Sequence, residues 1–258
     1  MKLLEIAKIF TKLVFPLFRK EIQTVMLDGK KFKYVYINKG TPYTIVFENG
    51  LGIPMSFWDR TFLELSKNHS VFTYNRHDNL KMMKGEIEDN SDLMVETLHH
   101  ILEVCKVKAP YILVGHSLGG IYVQHYIKQY PEDVVGLVLV DAPYPDEFAD
   151  VDAMKMPPKL HQKLKTFSIN VTKISRVLLS EPITKKIPMM ILSALMKQEL
   201  KEKPEIQEMV TFMHSKQKEY LTLYPWAKQT WVDTGHAVMY DKPEVVTEAI
   251  EELLKVSK

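Results

Sequence analysis

Tyr111-Ile112-Leu113-Val114-Gly115-His116-Ser117-Leu118-Gly119 is the stretch that decides how the rest of the chain is read. Its four leading apolar residues form a short run of the kind that makes a buried strand, and from Ile121 to Tyr130 apolar residues return at helical spacing. Between the two, Gly115-His116-Ser117-Leu118-Gly119 makes a sharp strand-to-helix corner with a serine at its apex. Glycines two residues before and after the apex let the backbone turn tightly and keep Cβ atoms out of a crowded corner. The Ser117 hydroxyl then projects above the sheet. Out of context the same string is a tight turn in which serine caps a helix. A dinucleotide fingerprint would need a Gly-x-Gly opening, which Gly115-His116-Ser117 does not supply.

Working outward, strands and helices alternate. Ile22 to Leu27 and Phe32 to Ile37 read as two strands joined by Asp28-Gly29-Lys30-Lys31, a hairpin signal. Tyr43 to Phe47 is a compact apolar run, followed by a glycine-bearing loop, a helix from Met55 to Lys67 and a strand at Val71 to Tyr74. A helix from Asp92 to Val107 leads into the strand before Ser117, and Leu137 to Val140, Pro188 to Leu192 and Gln229 to Val232 continue the series to a C-terminal helix at Pro243 to Val256. Such alternation predicts an α/β fold, a mostly parallel sheet with helices on both faces, to which the opening hairpin adds antiparallel strands. Between Tyr144 and Ile187 the alternation lapses into a methionine-bearing, helix-like segment, expected as a helical lid that lines a substrate pocket. The resulting division is an amphipathic helix over 1–21, a core over 22–144 and 188–258, and a cap insertion over 145–187.

At 258 residues and 46% hydrophobic content the chain suits one medium-sized domain. A net charge of +2, with lysines spread rather than clustered among aromatics, excludes nucleic acid from the expected partners. The single cysteine, Cys105, has no second thiol for a disulfide or shared metal and is read as packing. Residues 1–20 mix apolar side chains with five Lys or Arg, but their longest uncharged apolar stretch, Leu13 to Phe18, is too short for a signal-peptide core or a membrane span. A cytoplasmic location is the expectation. A basic amphipathic helix can also lie on an anionic membrane surface, and weak contact of that kind through residues 1–20 is the alternative.

A serine hydroxyl is a poor nucleophile until a neighbouring base takes its proton, and histidine suits that task near neutrality. Of nine histidines, His99, His100, His125, His161 and His214 fall in helical stretches and His116 adjoins the serine. His236 follows the strand ending at Val232, after the turn residues Asp233-Thr234-Gly235, which places it at the sheet edge where Ser117 emerges. Its imidazole needs a carboxylate to hold the tautomer. The strand ending at Leu192 continues as Ser193-Ala194-Leu195-Met196 without an acid, whereas the earlier strand ends in Asp141, which is the expected acid. Asp146, Asp233 and Glu199 are weaker alternatives. For the oxyanion that forms on attack, the Leu118 amide at the start of the helix is one expected donor.

On these residues the chain resembles the α/β-hydrolase fold superfamily, in its serine-nucleophile, esterase or lipase-like branch, from about Ile22 onward. The order Ser117, Asp141, His236 is that superfamily's order of nucleophile, acid and base. In many members the acid follows the penultimate strand; in others it follows the strand after the nucleophile helix, as Asp141 does. By the same match the second oxyanion donor is the Leu51 amide, in Glu48-Asn49-Gly50-Leu51-Gly52, with Asn49 where a histidine is usual. The loop Asn75-Arg76-His77-Asp78-Asn79 lacks the proline and glycines of many relatives, and Arg76 and His77 are expected to pack locally. The resemblance implies a serine hydrolase cleaving a carboxylic ester through an acyl-enzyme, with thioesters, lactones or an activated carbon-carbon bond as further options, and with neither metal nor organic cofactor. The alternatives are a ligand-binding or scaffold protein of the same fold with little turnover, and a membrane-surface lipase.

Overall fold

The computed structural model describes residues 21–77, 91–147, 175–196 and 204–256. The expected N-terminal helix and most of the expected lid, residues 148–174, lie outside these, as do His161 and Glu199. Eight strands form one sheet: β1 (Gln23–Leu27), β2 (Lys30–Ile37), β3 (Thr44–Glu48), β4 (Ser70–Tyr74), β5 (Tyr111–His116), β6 (Val134–Val140), β7 (Met189–Ala194) and β8 (Lys228–Val232). Their spatial order is β1-β2-β4-β3-β5-β6-β7-β8. The pairs β1 with β2 and β2 with β4 are antiparallel. All pairs from β4 to β8 are parallel. The opening hairpin is tighter than expected. Asp28 and Gly29, with φ of 48° and 72°, make the whole turn, and Lys30 already pairs with Leu27. Two successive positive φ values match the twist of the flanking strands, so Lys30 and Lys31 join β2 instead of the loop.

The helices are α1 (Asp59–Leu65), preceded by a 3-10 turn at Met55–Trp58, α2 (Ser91–Val104), α3 (Leu118–Gln129), α4 (Pro204–Lys218), α5 (Tyr220–Leu223), α6 (Val238–Asp241) and α7 (Pro243–Val256). A further helical turn occupies residues 175–180. Because side chains alternate along a strand, the central strands feed two cores at once. Val46 and Leu113 pack with Leu98, Ile101 and Leu102 of α2 and with the buried face of α3. Ile45, Phe47, Ile112 and Val114 pack on the other side with Phe62 and Leu65 of α1 and with Val246, Ile250 and Leu253 of α7. Strands buried on both faces read as continuous apolar runs, and for that reason β3, β5 and β6 stand out in the sequence.

The chain winds from β3 outward to β4, then returns to place β5 on the opposite side of β3. The reversal opens a crevice at the C-terminal ends of β3 and β5, the place where open α/β sheets bind ligands. Ser117 follows β5 and the loop at Glu48 to Gly52 follows β3, so topology alone brings them together. Among the described residues no helix is long and apolar enough to cross a membrane.

Candidate active site

The apex serine adopts φ 51° and ψ −126°, outside the regions that non-glycine residues ordinarily occupy. Such a residue persists only where its surroundings over-determine it. Here the Ser117 amide donates to the Val140 carbonyl at 3.0 Å and its carbonyl accepts from Gly120 at 2.8 Å. Close approach fixes the flanking glycine: a Cβ at Gly119 would sit 2.5 Å from the carbonyl oxygens of Glu48 and Asn49. The β3 loop also presses on the serine itself. A Cβ at Gly50 would be 3.2 Å from Ser117 Cβ and 2.7 Å from His116 Nδ1, so Leu51 begins one residue from the nucleophile. Leu118, buried, opens α3 on the other side with an amide that has no acceptor within its own helix.

Asp141 follows β6 directly, 4% exposed, with its amide donating to the Leu192 carbonyl at 2.7 Å. Its Oδ2 lies 2.6 Å from His236 Nδ1, and its Oδ1 accepts from the Ala194 amide at 2.9 Å and from Gln217 Nε2 at 3.1 Å. Burial raises the carboxyl's pKa, but the hydrogen bond and charge of His236, followed by the Ala194 and Gln217 donors, outweigh it and leave the group below its ordinary value. The Asp141 carboxylate faces Nδ1, which leaves His236 Nε2 unengaged by the acid on a side chain 46% exposed. The Ser117 hydroxyl forms no hydrogen bond with His236 among the described residues; contacts of this type tighten when substrate is bound.

Of the alternative acids, one is otherwise engaged. Asp146 pairs with Lys216 at 2.9 Å, Asp233 is exposed, and Glu199 lies outside the described residues. A further carboxyl, Glu147, is fully buried beside Asp141; burial pushes it well above its ordinary range despite a bond from the Tyr144 amide at 3.1 Å. Among the described residues no cluster of His, Cys, Asp or Glu could hold a metal ion.

Two residues matter more than their sequence context suggests. His116 is buried and donates from Nε2 to the His236 carbonyl at 2.9 Å, tying the imidazole's loop to the elbow. Burial, then the neighbouring His236, pushes its pKa down to about 3, so it stays neutral and its donor role is fixed. Arg76, expected to pack locally, instead lies buried in an ion pair with Glu48 and donates to the carbonyls of Asn49 at 2.6 Å and Gly50 at 2.8 Å. Tyr74 donates to the other Glu48 oxygen at 2.7 Å. Asn49, in place of the expected histidine, donates to the Tyr74 carbonyl at 2.6 Å and accepts from Trp58 Nε1 at 2.8 Å. Burial pushes the Glu48 carboxyl up, and the Arg76 charge pulls it back. Removing one member of a buried pair strands the other. Arg76→Met is therefore expected to lower unfolding free energy by about 3–5 kcal/mol, read from urea unfolding, because a carboxylate remains buried without its counter-ion. An unfolding curve within about 1 kcal/mol of the parent would refute that assignment.

Comparison with known proteins agrees with this architecture. Residues 45–182 match the model of the alpha/beta hydrolase family. The uncharacterized protein YqjL of Bacillus subtilis is 29% identical over 119 residues, 46% of this chain and 47% of its own length. YbdG of the same organism, also uncharacterized, is 26% identical over 139 residues, 51% of this chain and 42% of its own, so the matched segments span less than half of these relatives. Among solved structures, the alpha/beta hydrolase enzyme MGS-MChE2, from the metagenome of lagoon sediments at Mar Chica, Morocco, covers 90% of this chain and 98% of its own with a TM-score of 0.60 and 22% identity. An enol-lactonase from Burkholderia xenovorans covers 90% and 100% with a TM-score of 0.59 and 14% identity, a likeness of fold alone. Since the matched segment holds β3 to β6, with the serine corner and the strand that ends in Asp141, the chain belongs to the alpha/beta hydrolase family.

Proposed function

We propose that the protein is a serine hydrolase acting on a carboxylic ester or related acyl compound. One observation carries the reading: an ionised, buried Asp141 holds His236 by Nδ1 at 2.6 Å, on a loop that His116 ties to the elbow bearing a conformationally constrained serine. His236 Nε2 takes the hydroxyl proton as Ser117 Oγ attacks the carbonyl carbon. The oxyanion meets the amides of Leu118 and Leu51, in a site where fixed donors cost no reorganisation as charge develops. Collapse expels the alcohol, which leaves with the proton from His236, and the acyl group stays on Ser117. Water then gives its proton to His236 as it attacks the acyl carbon, and on collapse the acyl–Oγ bond breaks, His236 returns the proton to Ser117 Oγ and the acid departs. The chemistry serves esters, thioesters and lactones alike; the shape of the acyl and leaving-group sites would select among them.

A fluorophosphonate probe tests this. Peptide mass spectrometry of the treated, folded protein is expected to find the adduct on Ser117, with labelling suppressed by competing nitrophenyl esters. A folded protein that resists the probe would favour a binding scaffold. Comparing nitrophenyl esters of increasing acyl length then measures the depth of the acyl pocket.

A further inference from the structure

In many folds of this family the acid stands after the penultimate strand. Here that strand, β7, ends without one, and its tip instead lends an amide: Ala194 N–H donates to Asp141 Oδ1. The second donor to that oxygen comes from the helix that follows. Gln217 is 2% exposed, near the C-terminal end of α4, in a small pocket otherwise lined by Ala194, Met196, Val210, Met213, His214 and Asp141. Its Oε1 has no hydrogen-bond partner among the described residues. A methionine or leucine would fill the place without leaving a polar atom unpaired, and what the glutamine adds is an N–H aimed at Asp141.

We propose that Gln217 is a positioning residue for the acid: with the Ala194 amide it saturates Asp141 Oδ1, and so directs Oδ2 and its charge at His236. The arrangement is braced. The Gln217 carbonyl accepts from Gln229 Nε2 at 3.0 Å, and Gln229 also donates to Ser193 Oγ at 2.9 Å, fastening the end of α4 to β7 and β8. One turn on, Tyr220 donates to the Pro143 carbonyl at 2.6 Å and fixes the chain just past Asp141. Among the described residues, the titratable groups facing Asp141 are His236, His116 on β5, Glu147 in the following loop, and His214 on α4, whose Nε2 is taken up by the Ala194 carbonyl at 3.0 Å.

The inference rests on the proposed triad, and its test separates the two. In Gln217→Met the volume and helix are kept, so the thermal midpoint is expected to stay near the parent's. With one donor gone, the carboxylate's charge is less compensated and holds the imidazolium more strongly. The neutral base then exists only at higher pH, and the acid limb of kcat/KM should move up by about half a pH unit or more. We expect kcat to fall about tenfold with KM unchanged. In a His236→Ala background the same substitution should change the fluorophosphonate labelling rate less than twofold, since its route of action is already cut. A residue with a merely structural role would lower the melting temperature and leave the pH limb in place. Unmoved kcat and limb in a folded Gln217→Met protein, or an equal loss in both backgrounds, overturns the proposal while Ser117 still labels. Absence of labelling at Ser117 in the parent overturns the triad instead.

Discussion

Ser117→Ala is expected to lower kcat on an activated ester by about a millionfold, the scale on which other serine hydrolases lose turnover when the nucleophile is removed. In the proposed mechanism, attack by Oγ is the step that nothing else in the site would supply. His236 could at best assist a water, and the residual rate would come from the Leu118 and Leu51 amides and from binding. The substitution does not relieve the elbow, because alanine carries the same Cβ and must adopt the same φ of 51°. Folding stability should therefore change by less than about 1 kcal/mol. The measurement is single-turnover hydrolysis of a nitrophenyl ester together with a circular dichroism melt. Active-site titration with fluorophosphonate sets the ceiling for parent contamination. Turnover above about one per cent of the parent in a folded, uncontaminated variant would remove Ser117 from the role of nucleophile.

The elbow was legible in the sequence because its geometry is encoded within nine residues. A buried strand, a serine that must turn at positive φ, and glycines where neighbouring carbonyls approach to 2.5 Å all leave a local signature. The placing of Asp141 beside His236 was legible by a different route, the lack of any acid between Ser193 and Met196. Arg76, His116 and Gln217 left no such trace, because their partners lie 27, 120 and 76 positions away. A lone arginine after a strand looks like any surface cation until β3 and β4 are paired. One clue was nonetheless present. Glu48 closes an apolar run that is buried throughout, and a carboxylate there requires a cation from an adjacent strand end. The end of β4, parallel to β3, supplies it in Arg76. The hairpin was overestimated for a related reason: Lys30 and Lys31 look like turn residues locally, and only their pairing with Leu27 and Met26 makes them strand.

Asp141→Asn should lower kcat by about ten-thousandfold while leaving the fold intact. The magnitude follows from how the donors around position 141 constrain an amide. Asparagine would have to choose which end faces His236. Turning its oxygen toward Nδ1 would point its NH2 at the Ala194 amide and at Gln217 Nε2, which now lie 2.9 and 3.1 Å from Oδ1 and are themselves donors. Two donor pairs in a buried site would face each other without an acceptor, which is costly. The amide therefore turns the other way, its oxygen toward those donors and its NH2 toward the imidazole. His236 must then accept at Nδ1 and carry its proton on Nε2, the atom that should receive the proton of Ser117. The base is lost through its tautomer, not its position. Asparagine also tolerates the φ of 44° that Asp141 adopts, so the melt should be nearly that of the parent. Steady-state kinetics on the same ester across the pH range check the result. A rate within tenfold of the parent would show that the acid's role belongs to another carboxylate.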